Sequence, residues 1–557
     1  MKNAFTRRPG MLLWSVAAAL GWTCALGAGT EQIERRGMPT GVATIDYAHA
    51  DAPGMPAQLL QPRHAELGEP SLRLPMTMLA QVTDTAARVD AEGKDDAAST
   101  VGIKLKGDAA TESRGKSAAT AMAAAVEIGA NKSYAIPAME ILGFDFLVNR
   151  LNHQFGSSTD YDVTSASVRR NLRGKWVTDN DPYKINQFAH PYQGSMYHGF
   201  ARSAGLGYWE SAGYTFLGSV AWEVAGERTR PAVNDQLASG VAGSFLGEAL
   251  FRMSSLVLER GDGMPRFWRE VAAAAISPST GFNRLAYGDR FDPVFSSRGA
   301  YYYSRLQLGL SAATRNVQGT STANKRNELL TDFYMEYGLP GNPSYQYTRP
   351  FDYFAFQFTA SSANIFENIL TRGLLVGQAY ERGRDFRGVW GLYGSYDYIS
   401  PQTYRISSTA LSLGTTGQWW LSQDIALQGT AMVGAGYAAV GTLRGGATGE
   451  YHYGAAPQAL LAMRMIFGNR VALDVAAREY FVSNVGARSI GGRDNIARAD
   501  VSLTMRVKKQ HSIAIKYLWN RRDATYAFLG NGTQERSTIG IFYSYDGDGN
   551  FGAIDWR

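Results

Sequence analysis

Beyond Phe291 apolar and polar residues alternate in stretches of about ten to sixteen residues, separated by turn clusters. In VALDVAAREYF, Val471, Leu473, Val475 and Ala477 fall on one face of an extended chain, while Asp474 and Arg478 fall on the other. ADVSLTMRV repeats the arrangement, with Val501, Leu503 and Met505 set against Asp500, Ser502 and Thr504. One face meets an apolar phase and the other a polar one. Aromatic residues gather near the ends of the stretches, and none of them has the unbroken apolar run of a membrane helix. This pattern predicts a mainly β fold, an antiparallel transmembrane β-barrel of about twelve strands over residues 291–557. The last alternating stretch reaches Asp546 and leaves Trp556 next to last. The tail is expected either as a periplasmic extension or as the final strand, at NFGAIDW.

Ahead of the barrel the period changes. Ala189–Leu258 is apolar, rich in Gly, Ala and Ser, and reads as two helices, Tyr197–Val224 and Asn234–Leu258, broken at GERTRP. Asn234 suits the N-cap of the second helix, Asp235 its positive end, and Arg252 and Arg260 its negative end. Ser239, Gly243 and Gly247 recur every fourth residue, so one face is nearly bare and admits another backbone. A barrel of this size has more interior than its own side chains fill. The helical domain, residues 133–290, is therefore expected as an α-helical plug in the lumen or a cap on its mouth. Glu210, Glu223, Glu227, Asp235 and Glu248 argue against helices that cross lipid.

Lys2, Arg7 and Arg8 precede MLLWSVAAAL and a small-residue run, the pattern of a cleaved signal peptide over residues 1–28. Cys24, the single cysteine, leaves with it, so the mature chain has no disulfide. Residues 29–132 are polar and Ala/Asp-rich without an apolar period, which predicts a mostly disordered periplasmic arm. The net charge of +6 is scattered, which gives no nucleic-acid surface. Expected surroundings are the outer membrane, its lipids and lipopolysaccharide, and the machinery that assembles barrels. No cofactor is expected, and the solute and the oligomeric state stay open.

HPYQGSMYHGFARSAGLGYWESAGYTFLGSVAWEV and GERTRPAVNDQLASGVAGSFLGEALFRMSSL resemble the envelope family known as domain of unknown function 3943. The resemblance covers roughly residues 135–260. It rests on His190, Pro191, Gly194, Trp209, Glu210, Gly218, Trp222, Glu223, Glu227, Pro231, Asn234, Asp235, Gly243, Gly247, Glu248 and Arg252. It implies an envelope setting and no defined reaction. The same stretch is distantly similar to VanZ-like helical proteins, which implies lipid-linked surroundings.

Candidate chemistry centres on this region. His190 and Ser195 with Glu210 or Glu223 contain the residue types of a nucleophile, a base and an orienting acid. HPYQGS, however, is a proline-containing turn at a helix mouth, and His511 and Ser512 are adjacent and point to opposite faces of a strand. For a metal, His190, His198, Glu223, Glu227 and Asp235 have the right donors, but only Glu223 and Glu227 share a helical spacing, so no metal site is expected. Asp546, Asp548 and Asn550 begin a calcium-loop pattern and lack its glycine and closing glutamate. The plainer expectation is that the acids pair with Arg202, Arg228, Arg230 and Arg252, while Tyr208, Trp209, Tyr214 and Trp222 pack against the barrel wall. Three functions follow from three geometries. An open path through the barrel favours passage of a solute, a lateral opening beside His190 favours a lipid-modifying hydrolase, and a sealed lumen favours a structural protein.

Overall fold

The computed structural model describes residues 132–557, apart from 157, 180, 262, 317–322, 402–403, 442–450, 484–491, 527–529, 548–550, 555 and 557. The expected signal peptide and nearly all of the expected arm lie outside the described residues.

Twelve strands form one closed antiparallel barrel in which neighbours in sequence are neighbours in space. They are β1 (Tyr302–Asn316), β2 (Ala323–Tyr337), β3 (Phe354–Ser361), β4 (Asn368–Arg382), β5 (Phe386–Ile399) and β6 (Ile406–Trp420). Then follow β7 (Ile425–Gly441), β8 (Tyr451–Phe467), β9 (Val471–Val482), β10 (Gly492–Lys508), β11 (His511–Tyr526) and β12 (Gly530–Asp546). β12 pairs with β1 from Asp546↔Arg305 to Arg536↔Arg315, which removes the free edges. The alternation read from the sequence holds. Val501, Leu503 and Met505 are exposed on the outer wall, while Ser502 and Thr504 are buried inside. Their outward neighbours, among them Leu310, Ile513, Ile515, Ile539 and Ile541, make an apolar belt.

The lumen is filled by the barrel's own polar side chains. Arg305 of β1 reaches Asp474 of β9 at 2.7 Å, and Arg464 of β8 bridges Asp474 at 2.6 Å and Glu336 of β2 at 3.2 Å. Strands β8 and β2 stand opposite each other in the ring, so these pairs span the lumen. Arg478–Asp397, Lys516–Asp332 and Arg536–Glu328 add further crossings. Around Glu336, Arg464 and Asp474 a cavity of about 60 Å³ remains, room for a few waters.

The tail after β12 is neither an extension nor a strand. It turns into the barrel end where β1 begins, and Phe551 and Ile554 are buried against Tyr303, Leu339, Trp420 and Ile466. Gln428 donates to the Gly552 carbonyl oxygen at 2.6 Å, and the Arg506 guanidinium lies 4.3 Å from the Phe551 ring.

Seven helices precede β1 among the described residues: α1 (Ala135–Phe155), α2 (Ser165–Arg173), α3 (His190–Ser203), α4 (Tyr208–Ala221), α5 (Val233–Arg260), α6 (Arg266–Ile276) and α7 (Pro278–Tyr287). The first expected helix is in fact two, because Gly205, at φ 86°, turns the chain between α3 and α4. Asn234 is not a cap. Ala232 holds that position, and Asn234 lies buried in the first turn of α5.

The expectation of a plug or cap is overturned by the parity of the strands. In β7, Val433 points outward and is 65% exposed; Ala439, on the same face, is 1% exposed because helices cover it. Tyr396 and Tyr398 of β5 share the face of exposed Trp390, and Tyr451 and Tyr453 of β8 share that of Leu461. All four tyrosines belong to one buried cluster or contact it with Tyr183, Phe188, Phe245 and Leu246 of the helical region. The helices therefore dock on the outside of the wall. Their footprint follows the register row Met335–Phe356–Thr371–Tyr396–Thr409–Tyr437 from β2 to β7. Outward glycines make the seats: a Cβ on Gly394 would stand 2.5 Å from the Phe245 ring.

Candidate functional site

The helical domain is built on the crossing of α3 and α5. A Cβ on Gly194 would meet the Ser239 carbonyl oxygen at 1.9 Å, and one on Gly247 would meet His198 Cβ at 2.7 Å. The bare face expected from Ser239, Gly243 and Gly247 is thus where α3 passes. Such contact leaves the longer polar side chains at its ends to meet one another.

At one end stands a buried group of carboxylates and one imidazole. Ligand-type atoms of His190, Glu223 and Asp235 lie within 4.8 Å of one another, and all three residues are buried. His190 Nδ1 lies 3.2 Å from Ser239 Oγ, and its Nε2 lies 3.8 Å from Asp235 Oδ2. Glu223 Oε2 accepts the Ala232 N–H at 2.8 Å, while Oε1 has no hydrogen-bond partner. Asn234 donates to Asp235 Oδ1 at 2.8 Å, to Asp179 Oδ1 at 2.7 Å and to the Tyr453 hydroxyl of the wall at 2.9 Å. Asn186 joins Asp179 to Tyr451 in the same way, at 2.7 and 2.8 Å. Glu227, one turn from Glu223, is satisfied separately by Trp222 Nε1 and the Thr229 hydroxyl.

The other end of the crossing is a saturated ion-pair network. Glu248 receives His198 Nε2 at 3.0 Å, Arg202 Nε at 2.7 Å and Arg252 Nε at 2.8 Å. Arg252 continues to Asp352, between β2 and β3, at 3.1 Å, and Asp352 also takes Arg298 and Arg349. Three donors thus converge on one fully buried carboxylate.

The sequence expectations divide accordingly. Arg202 and Arg252 do pair with an acid. Arg228 and Arg230 form no ion pair among the described residues, and neither do Glu223, Glu227 and Asp235 with any lysine or arginine. The hydrolase grouping is not assembled. Ser195 donates to the Tyr192 carbonyl within its own helix at 2.6 Å, and Glu210 caps the start of α4 and pairs with Lys132 at 2.6 Å. His511 turns outward to Tyr543, while Ser512 turns inward to Asp546. Asp548 and Asn550 lie outside the described residues. Tyr208 packs on Phe351 and Trp222 on Val148, but Trp209 is exposed, and Tyr214 packs within the helical domain, its hydroxyl donating to the Tyr134 carbonyl. Sequence reasoning missed Asp179, Asp181, Asn186 and Ser239 as companions of His190. Asp179 and Asp181 share one short stretch, Asn186 stands in the π turn after it and Ser239 on a distant helix, and no motif spacing links them to His190.

A search of the curated proteins finds no match to this sequence. Among solved structures the chain is similar to NanC porin, at 8% identity and a TM-score of 0.23 over 42% of this chain and 98% of that one. KdgM porin gives 8%, 0.19, 42% and 98% in the same order, and the outer membrane channel DcaP of Acinetobacter baumannii gives 9%, 0.20, 45% and 98%. At these scores the likeness carries no argument, and the closed barrel rests on the strand pairing itself. Residues 175–279 match the family model described as Domain of unknown function (DUF3943), a span that starts later and ends later than the resemblance read from the motif. His190, Glu223, Asp235 and Glu248 all fall within that match, so both polar ends of the α3–α5 crossing belong to the matched domain, and a closed twelve-strand antiparallel barrel follows it.

Proposed function

We propose that this protein is an outer-membrane barrel that conducts nothing through its lumen and instead holds a helical domain in the lipid beside its wall. One observation carries the reading: α1 and α4 are apolar outside and polar inside. In α1, Met139 and Phe146 are 63% and 65% exposed, whereas Glu140 and Asp145 are 8% and 7% exposed. In α4, Leu217 and Phe216 face out while Ser211, Thr215 and Ser219 face in; Phe267 and Trp268 continue the outer surface on α6. A water-facing domain orders its helices the other way round. An apolar exterior of this kind fits lipid, and of the acids that argued against lipid contact Glu223, Glu227, Asp235 and Glu248 are buried while Glu210 is paired with Lys132. Ion pairs across the lumen and the inserted tail support a sealed barrel, which of the three geometries favours a structural role. Export through cleavage after a signal peptide at residues 1–28 and contact with lipopolysaccharide at the loop end belong to the same reading.

The test uses the mature chain, which has no cysteine once Cys24 is removed. Met139→Cys and Leu217→Cys each receive a spin label, and the refolded protein is placed in lipid bilayers. Collision with dissolved oxygen is expected to exceed collision with a water-soluble nickel complex at both sites. Water-like accessibility at both would overturn the reading.

A further inference from the structure

His190, Glu223 and Asp235 arrive from three elements, and each stands at a widened helical turn. A π turn at Ile185–Ala189 leads into His190, another at Trp222–Gly226 contains Glu223, and a third at Ala238–Ala242 follows Asp235 and carries Ser239. Such turns cost regular hydrogen bonding and concentrate where side chains must be aimed. We propose that these three residues bind one divalent transition-metal ion, through His190 Nε2 and one oxygen each of Glu223 and Asp235.

The donor set is one imidazole and two carboxylates, which suits zinc and the neighbouring first-row ions. Ligands about 2.1 Å from a tetrahedral ion stand about 3.4 Å apart. The present separations, within 4.8 Å, close to that by small side-chain shifts. Glu223 Oε1, on a residue only 3% exposed, has no hydrogen-bond donor, the state expected of an oxygen reserved for a cation. No lysine or arginine among the described residues neutralises the three, although the same domain supplies Arg202 and Arg252 to Glu248. The surrounding hydrogen bonds are of the kind that orient metal ligands. A His190 Nδ1–H donated to Ser239 Oγ leaves the Nε2 lone pair free. Asn234, itself fixed by Asp179 and Tyr453, holds Asp235 Oδ1 and leaves Oδ2 toward His190. Glu227 falls outside the three residues whose ligand atoms lie within 4.8 Å of one another, and its oxygens accept from Trp222 Nε1 and the Thr229 hydroxyl.

The experiment is a titration of the full mature protein, refolded in detergent and stripped with a chelator. Cobalt(II) is added first and then displaced with zinc. One equivalent of cobalt is expected to give visible d–d absorption bands that zinc abolishes. His190→Ala and Asp235→Asn should each weaken zinc binding at least tenfold, and Ser239→Ala should weaken it by a smaller factor. Glu210→Gln, an acid outside the cluster, should bind as the parent does. The parent's cobalt spectrum needs no variant to fold, so absence of bands at one equivalent overturns the proposal outright. Equal binding by His190→Ala, in a preparation that keeps the heat-dependent gel shift of a folded barrel, overturns it as well.

Discussion

Tyr396 and Asp397 are adjacent in β5 and belong to different compartments. The Tyr396 hydroxyl donates to the Gln187 carbonyl oxygen at 2.7 Å, outside the wall, while the Asp397 carboxylate receives Arg478 at 3.3 Å and the Tyr480 hydroxyl at 2.7 Å inside it. One strand thus holds the helical domain on one side and cross-braces the lumen on the other. The two jobs can be separated by mutation.

Gly394→Leu places a side chain where the Phe245 ring now sits, against the outward face of β5. The barrel should still close, since leucine suits its outer surface, but the helices should lose their seat. The expected outcome is an unchanged heat-dependent gel shift together with rapid proteolysis between residues 133 and 290. Protection equal to the parent's would mean that Phe245 does not dock there.

Arg464→Ala removes the guanidinium that Asp474 and Glu336 share. Arg305 still serves Asp474, and Glu336 keeps Arg372 at 3.9 Å and the Tyr353 hydroxyl at 3.1 Å. Full loss of a partner from a buried ion pair costs about 3–5 kcal/mol, so with these partners left the denaturant midpoint of the barrel should fall by part of that. A shift within the scatter of surface variants would mean that water already solvates these groups.

In planar bilayers the intact protein should be silent. Deleting residues 547–557 removes the Phe551 and Ile554 packing, and combining that deletion with Arg464→Ala should produce ion conductance. Steady single-channel steps from the unaltered protein would contradict the sealed lumen directly.

The strands were legible because alternation at period two is imposed by lipid on one side and a polar lumen on the other, and β5 can be read from Phe386 to Ile399 without error. The face on which the helices dock was not legible. Tyr396, Tyr398, Tyr451 and Tyr453 lie near strand ends and look like the aromatic girdle of any membrane barrel, so their burial under protein leaves no mark on the pattern. The small face of α5 was readable, since only close backbone approach rewards a glycine every fourth residue. The break at Gly205 was not, because a single glycine in a Gly/Ala-rich run does not announce a turn. The His190 group eluded spacing rules for a different reason. Its members are brought together by the α3–α5 crossing and by π turns, which shift the helical register on which such rules depend.

The helices cover the wall from β2 to β8, and the seam where β12 meets β1 lies on the bare side. The seam thus stands away from the helical domain. The helical domain precedes every strand in the chain, so it can settle on the growing curved sheet as a mandrel fixes the bend of a strip. Closure then needs only the registration of Leu306–Arg315 with Arg536–Tyr545, on a surface no other part of the described chain obstructs.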